Sequence, residues 1–196
     1  VQLENQGHYA QALATTREGL ALVGVSFPDT PVAQERALEL EIANIGRLRG
    51  QRPIAELIDL PVMTDPEVRV GMDMLMGAWS PAFIVGEATL ARLFSATIVR
   101  LSLQHGNVEE SAYGYVTHAI TVGPVRGDYA AAYEFGTLAL AVNERLADKR
   151  LRAKVYQQFH AHVNLWCRPF QSCTLYAQRA HTSGLDAGDF LYAAYA

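Results

Sequence analysis

Cysteine is scarce in this 196-residue chain, with Cys167 and Cys173 its two representatives. Two thiols are too few for a secreted disulfide framework, and they lack the spacing of a metal-binding pair, so a cytoplasmic location is expected. They stand six residues apart with Pro169 between them, which predicts inert thiols on opposite sides of a turn. Charge is sparse too, at 18% of residues, and 20 acidic against 16 basic side chains leave a net charge of -4. That balance argues against nucleic acid as the partner. Long apolar runs are missing: the longest stretch without a charged residue, Ser111 to Val125, has 15 residues and contains Gly123 and Pro124. It is too short and too broken to span a bilayer, so no membrane insertion is expected. Strict alternation of β-branched residues is absent, which leaves a sheet no sequence to form from. The chain opens at Val1 and closes on an apolar run at Ala196, which reads as a segment of a longer protein.

Half of the residues are hydrophobic, ample for a globular core. Helix-stop and helix-start signals divide them evenly. Gly7 is followed by Phe27 to Pro31, Gly50 to Pro53, Thr64 to Pro66, Gly86, Gly106-Asn107, Gly127-Asp128, Asp148, Arg168-Pro169 and Gly188-Asp189. From Asp65 onward the steps are 20 or 21 residues, room for one helix of four to five turns and a tight connection. Leu90, Leu93, Phe94, Ile98 and Leu101 form a stripe widened by Val99 and Leu103, as on a helix packed between neighbours. Ala132, Gly136 and Ala139 place small residues where another helix can approach closely. Pro53, Pro61 and Pro66 leave room only for a short helix around Ile54 to Ile58, so residues 51–65 are expected to form an irregular connection. The fold class predicted is all-α: an α-solenoid of about nine antiparallel helices, with residues 1–196 as one repeat segment.

Four turns read as variants of one pattern. Gly7-His8-Tyr9-x-x-Ala12, Gly127-Asp128-Tyr129-x-x-Ala132 and Gly188-Asp189-Phe190-x-x-Ala193 match well, and Gly106-Asn107-Val108-x-x-Ser111 less so. Glycine permits the turn, Asp or Asn caps the next helix, the aromatic residue fills the wedge between the helices and alanine lets them close up. The pattern resembles the turn of a tetratricopeptide repeat. Its units lie nearer 40 residues per helix pair than the roughly 34 of that family, and the phases of Gly127 and Gly188 differ by about three helix units.

A more specific resemblance rests on Leu60-Pro61-Val62-Met63-Thr64-Asp65-Pro66, Leu101-Ser102-Leu103-Gln104-His105-Gly106-Asn107, Ser111-Ala112-Tyr113-Gly114-Tyr115, Gly127-Asp128-Tyr129, Phe135 to Leu140, Lys154 to Phe159 and Trp166-Cys167-Arg168-Pro169. From Gly50 to Ala196 these resemble the helical middle region of very large bacterial signalling proteins. Such proteins join a serine/threonine kinase domain, an AAA-type ATPase, a helical array, a GAF domain and a histidine kinase. The resemblance implies a non-catalytic interaction and coupling module, whose partners are other domains of the same polypeptide or a separate protein or peptide. It brings no active-site residue across.

Neither Lys149 nor Lys154 follows a glycine, so a Walker A loop is excluded, and Asp189-Phe190-Leu191 lacks the glycine of a kinase metal-binding triplet. No histidine follows a glutamate at the spacing of a helical di-iron site, and His160 and His162 fall on different helix faces. No catalytic, cofactor-binding or metal-binding residues are therefore assigned. Arg47, Arg49 and Arg52, and Arg145 with Lys149, Arg150, Arg152 and Lys154, read as solvated surface, and Trp79 and Trp166 as core. The alternative functions are a free-standing peptide-binding adaptor and a small all-α enzyme or ligand-binding domain with a pocket lined by Tyr113, Tyr133, Tyr156 and His160.

Overall fold

The computed structural model describes residue 3 and residues 6–196. Among the described residues the chain is helical and without β-strands. Its helices are α1 (Tyr9–Leu22), α2 (Pro31–Arg49), α3 (Pro66–Ile84), α4 (Ala88–His105), α5 (Glu109–Ile120), α6 (Tyr129–Leu146), α7 (Lys149–Phe159), α8 (Gln171–Ala187) and α9 (Phe190–Tyr195). A 3-10 helix, Ile54–Asp59, separates α2 from α3. Two helices continue through π-helical turns, α5 into Thr121–Val125 and α7 into His160–Asn164 with a last α-turn at Leu165–Cys167. The predicted turns from Phe27 onward fall at the boundaries between these elements, and Gly7 lies just before α1.

The starts of the helices follow from local chemistry. Pro31 and Pro66 each occupy a first helical turn, where the missing N–H costs no bond. Before them, the side chains of Thr30 and Asp65 accept hydrogen bonds from the backbone N–H groups of Ala33 and of Glu67 and Val68. Asp128, Asp148 and Asp189 cap α6, α7 and α9 in the same way. The π-turn after α5 contains Pro124, whose ring cannot fit beneath a regular α-turn. The wider ladder includes a bond from Arg126 N–H to the Thr121 carbonyl.

The chain forms two compact units. The first comprises the residues up to Gln51 together with Pro61–Gly106. In it α1 packs on α3, α3 on α4, and α4 on α2. Helix α4 is buried nearly all round, including Leu90, Leu93, Phe94, Ile98 and Leu101, as its wide apolar stripe predicts. Phe27 meets Phe94 edge to face at 4.8 Å between ring centres. Gly106 has φ 101° and ψ 178° and lies so close to the Pro61 carbonyl that a side chain would collide with it.

The second unit comprises Arg52–Leu60 and Asn107–Ala196. Helix α5 packs on α6 and α7, α7 on α8, and α8 on α9. Tyr113, Tyr115 and Phe159 are fully buried at its centre. Gly136 lets α6 approach α7: a Cβ built there would sit 2.8 Å from the Phe159 ring. The irregular connection takes a definite form here. Ile54 and Leu57 are buried, and the segment packs on α6. Asn107 donates from Nδ2 to the Leu57 carbonyl at 2.8 Å and accepts from Tyr115 Oη at 2.9 Å. Arg145 bonds the Ile58 carbonyl and the Asp59 carboxylate.

Candidate interaction surfaces

At two of its three best positions the turn motif has a left-handed glycine, a capping aspartate and a buried alanine. Gly127 and Gly188 have φ of 81° and 72°, the left-handed conformation that ends a helix. Asp128 Oδ1 accepts from Ala131 N–H at 3.0 Å and Asp189 Oδ1 from Tyr192 N–H at 3.2 Å. Ala132 and Ala193 are buried at the crossings. At the third position Gly7 is also left-handed, Tyr9 is half-buried and Ala12 is buried, while His8 makes no side-chain cap.

Three expectations need correction. Asn107 caps no helix; Val108 takes the cap position of α5, and the buried Asn107 amide holds the 3-10 helix instead. The aromatic residues of the motif do not fill a buried wedge, since Tyr129 is 41% exposed and Phe190 70%. The first residue of a helix projects past the crossing, and it is the alanine three positions on that enters it. Trp79 is core, but Trp166 is 56% exposed, because it lies in the last turn of its helix beside the Arg168-Pro169 break.

Sequence reading missed two glycines. A Cβ on Gly123 would lie 2.8 Å from that of Ala132, and one on Gly184 would lie 2.8 Å from that of Ala193. Each stands four residues before the turn glycine and nine before the motif alanine, so the geometry that recurs is a glycine facing an alanine across the hairpin. That repeated spacing was present to be found.

The corrected aromatic residues form a surface. Tyr129 lies against Trp166 with ring centres 6.3 Å apart, and the Cys167 thiol points to the Tyr129 carbonyl at 3.3 Å. The Arg168 guanidinium covers the Tyr133 ring at 4.2 Å. Phe170, just beyond, is 79% exposed. The patch thus joins the start of α6 to the turn before α8, and it carries the exposed Arg168. Exposed aromatic side chains of this size are what a partner buries most favourably.

The residues proposed for a pocket are dispersed among other tasks. Tyr113 is buried, with its hydroxyl 3.5 Å from that of Tyr192. Tyr133 packs on Phe159 beneath Arg168. Tyr156 donates to Glu144 Oε1 at 3.2 Å, and burial followed by the Glu144 charge raises its pKa. Burial lowers the pKa of His160, helped by His162. The pKa of His118, buried against Phe135, is lowered to about 4 by desolvation and then by the charge of Arg126. Among the described residues no three His, Cys, Asp or Glu side chains form a group able to hold a metal ion. Cys173 is buried and takes a bond from Asn164 Nδ2, and Cys167 is partly exposed. Of the basic groups, Arg145 pairs with Asp59, and Arg150 with Asp148 and Glu110. Among the described residues no helix is long and apolar enough to cross a membrane. No protein family, curated protein or solved structure matches the chain.

Proposed function

We propose that this chain is a non-catalytic protein-interaction and coupling module, a tetratricopeptide-like solenoid within a cytoplasmic, multidomain bacterial signalling kinase or ATPase. The single observation that carries the interaction role is the aromatic surface of Tyr129, Trp166 and Phe170, raised on two helix turns of the second unit. Residues selected only for folding would be expected to turn such large rings inward. The signalling context rests on the sequence resemblance between Gly50 and Ala196. A free-standing adaptor would use the same surface.

A photo-cross-linking residue at position 170, in the intact protein inside cells, tests the reading. Cross-links to another domain of the same polypeptide are expected; cross-links to a separate chain favour the adaptor, and none at all would remove the patch as an interaction site. Calorimetry with ATP supplies the check on catalysis. The purified chain is expected to give no binding heat, and a saturable isotherm would overturn the non-catalytic assignment.

A further inference from the structure

We infer that the outer face of α8 is a self-association surface, and that the helix it takes is α8 of a second copy of this chain, running antiparallel. The inference is independent of the aromatic patch and of the signalling reading. Helix α8 packs on α7 and α9, and on its inner side Cys173, Ala180 and Gly184 are buried. On the opposite side Gln171, Leu175, Gln178, Thr182 and Leu185 are all exposed. At about 100° per residue these five fall within a strip about 80° wide that holds no charged side chain. Leu175 and Leu185 are each 50% exposed on it.

The order of residues along that strip points to the occupant. From Leu175 the steps to Gln178, Thr182 and Leu185 are three, four and three, the spacing of the seam between two paired helices. That spacing is symmetric about Ala180. A two-fold axis level with Ala180 sets Leu175 against Leu185 of the copy and Gln178 against Thr182 of the copy, and each pairing occurs twice. Apolar side chains thus meet at both ends of the seam, and between them an amide faces a hydroxyl with which it can exchange hydrogen bonds. Charge obeys the same symmetry. Arg179 and Asp186 border one edge of the strip, and the axis brings Arg179 to about 7.5 Å along the helix from Asp186 of the copy, within reach of an arginine side chain. In its own chain the Arg179 guanidinium lies 5.8 Å from the centre of the Tyr156 ring, and the neighbouring Glu144 carboxylate is taken by the Tyr156 hydroxyl. The two copies of Arg179 stand near each other at the axis; an Asp186 carboxylate flanks each, and each faces its own Tyr156. The other edge carries Thr174 and His181, whose Nδ1 stands 2.9 Å from the Ala193 carbonyl of its own chain. The face is therefore matched to its own reverse in apolar character, hydrogen bonding and charge, as a two-fold interface must be. One helix face is small against the roughly 1,200 to 2,000 Å² of a standard interface, so the dimer is a weak one.

Sedimentation equilibrium of the purified chain over a range of concentrations, at low salt, tests this. A monomer–dimer equilibrium is expected. Leu175→Lys and Leu185→Lys should each weaken it about tenfold or more, because a charge is then set against a leucine of the copy in both symmetry-related contacts. Arg179→Glu and Asp186→Arg should each weaken it about tenfold by setting like charges against each other twice. The double variant Arg179→Glu with Asp186→Arg should return the dissociation constant to within about threefold of the parent. Residues 179 and 186 are seven apart on one helix and beyond the i, i+4 reach of each other, so that rescue reports the contact between copies. All four positions are exposed, and circular dichroism of each variant checks that the fold is kept. A chain that stays monomeric throughout, a dimer indifferent to Leu175→Lys and Leu185→Lys, or single charge reversals that the double one does not rescue, overturns the proposal.

Discussion

His118 shows how one buried side chain sets a response to acid. It is neutral in the folded protein, with its pKa lowered from about 6.5 to about 4, so between those values the unfolded chain binds the extra proton. Stability contributed by this site is complete above about pH 6.5 and is lost as pH falls toward about 4, by an amount on the order of 3 kcal/mol. The lowered pKa values of His160 and His162 act in the same direction. His118→Leu should flatten this acid limb: urea midpoints at pH 7 and pH 5 should lie closer together than in the parent, and an unchanged gap would assign the limb to other groups. Asn107 is the second residue with a disproportionate task. Asn107→Ala removes the buried bonds to the Leu57 carbonyl and from the Tyr115 hydroxyl and should cost about 1 to 3 kcal/mol in a urea melt.

At the scale of elements, the helical hairpins depend on small residues more than on large ones. Gly184→Val and Ala132→Trp should each lower stability by about 1 to 3 kcal/mol or more, because the added atoms enter crossings already at contact distance. Gly127→Val acts differently. Open space surrounds the position, and the loss of on the order of 1 to 2 kcal/mol comes from backbone strain at positive φ. Arg150→Glu is no neutral control beside these, given its contacts with Asp148 and Glu110, whereas Arg36→Ala on an exposed face should stay within about half a kcal/mol. The positions of the turns were legible in the sequence because Gly, Pro and Asp act on their own few residues of backbone. What each helix face meets was legible only in part. The stripe of α4 announced its burial, but Gly123 and Gly184 look like any helix-interior glycine until an alanine is found across from them. Trp166 and Tyr129 were misplaced for a related reason: hydrophobic character does not reveal that a side chain lies past the last crossing.

Over the whole molecule, Trp79 lies in the first unit and Trp166 in the second, one reporter for each. Leu57 is fully buried in the second unit, although it precedes α3 and α4 of the first. Leu57→Ala should cost about 2 to 5 kcal/mol. In single-tryptophan variants, the urea transition seen by Trp166 should shift down further than the one seen by Trp79. Equal shifts would show that the two units unfold as one. The sequence could place a short helix at Ile54 to Ile58 but not assign it, since Leu57 meets Asn107 fifty residues on and Ile58 meets Arg145 eighty-seven residues on. Local signals say nothing across such separations.

That placement has a consequence during synthesis. A ribosome adding about 5 to 20 residues per second delivers Ile58 roughly 4 to 17 s before the arginine that binds its carbonyl. For an interval of that length Ile54 and Leu57 stand outside the exit tunnel without the α6 surface that will cover them. The nascent chain therefore carries an uncovered apolar segment while α3 and α4 are still emerging. Slowing translation between Pro61 and Leu146 would prolong that exposure, and a holdase chaperone has its best opportunity to engage the chain at residues 52–60.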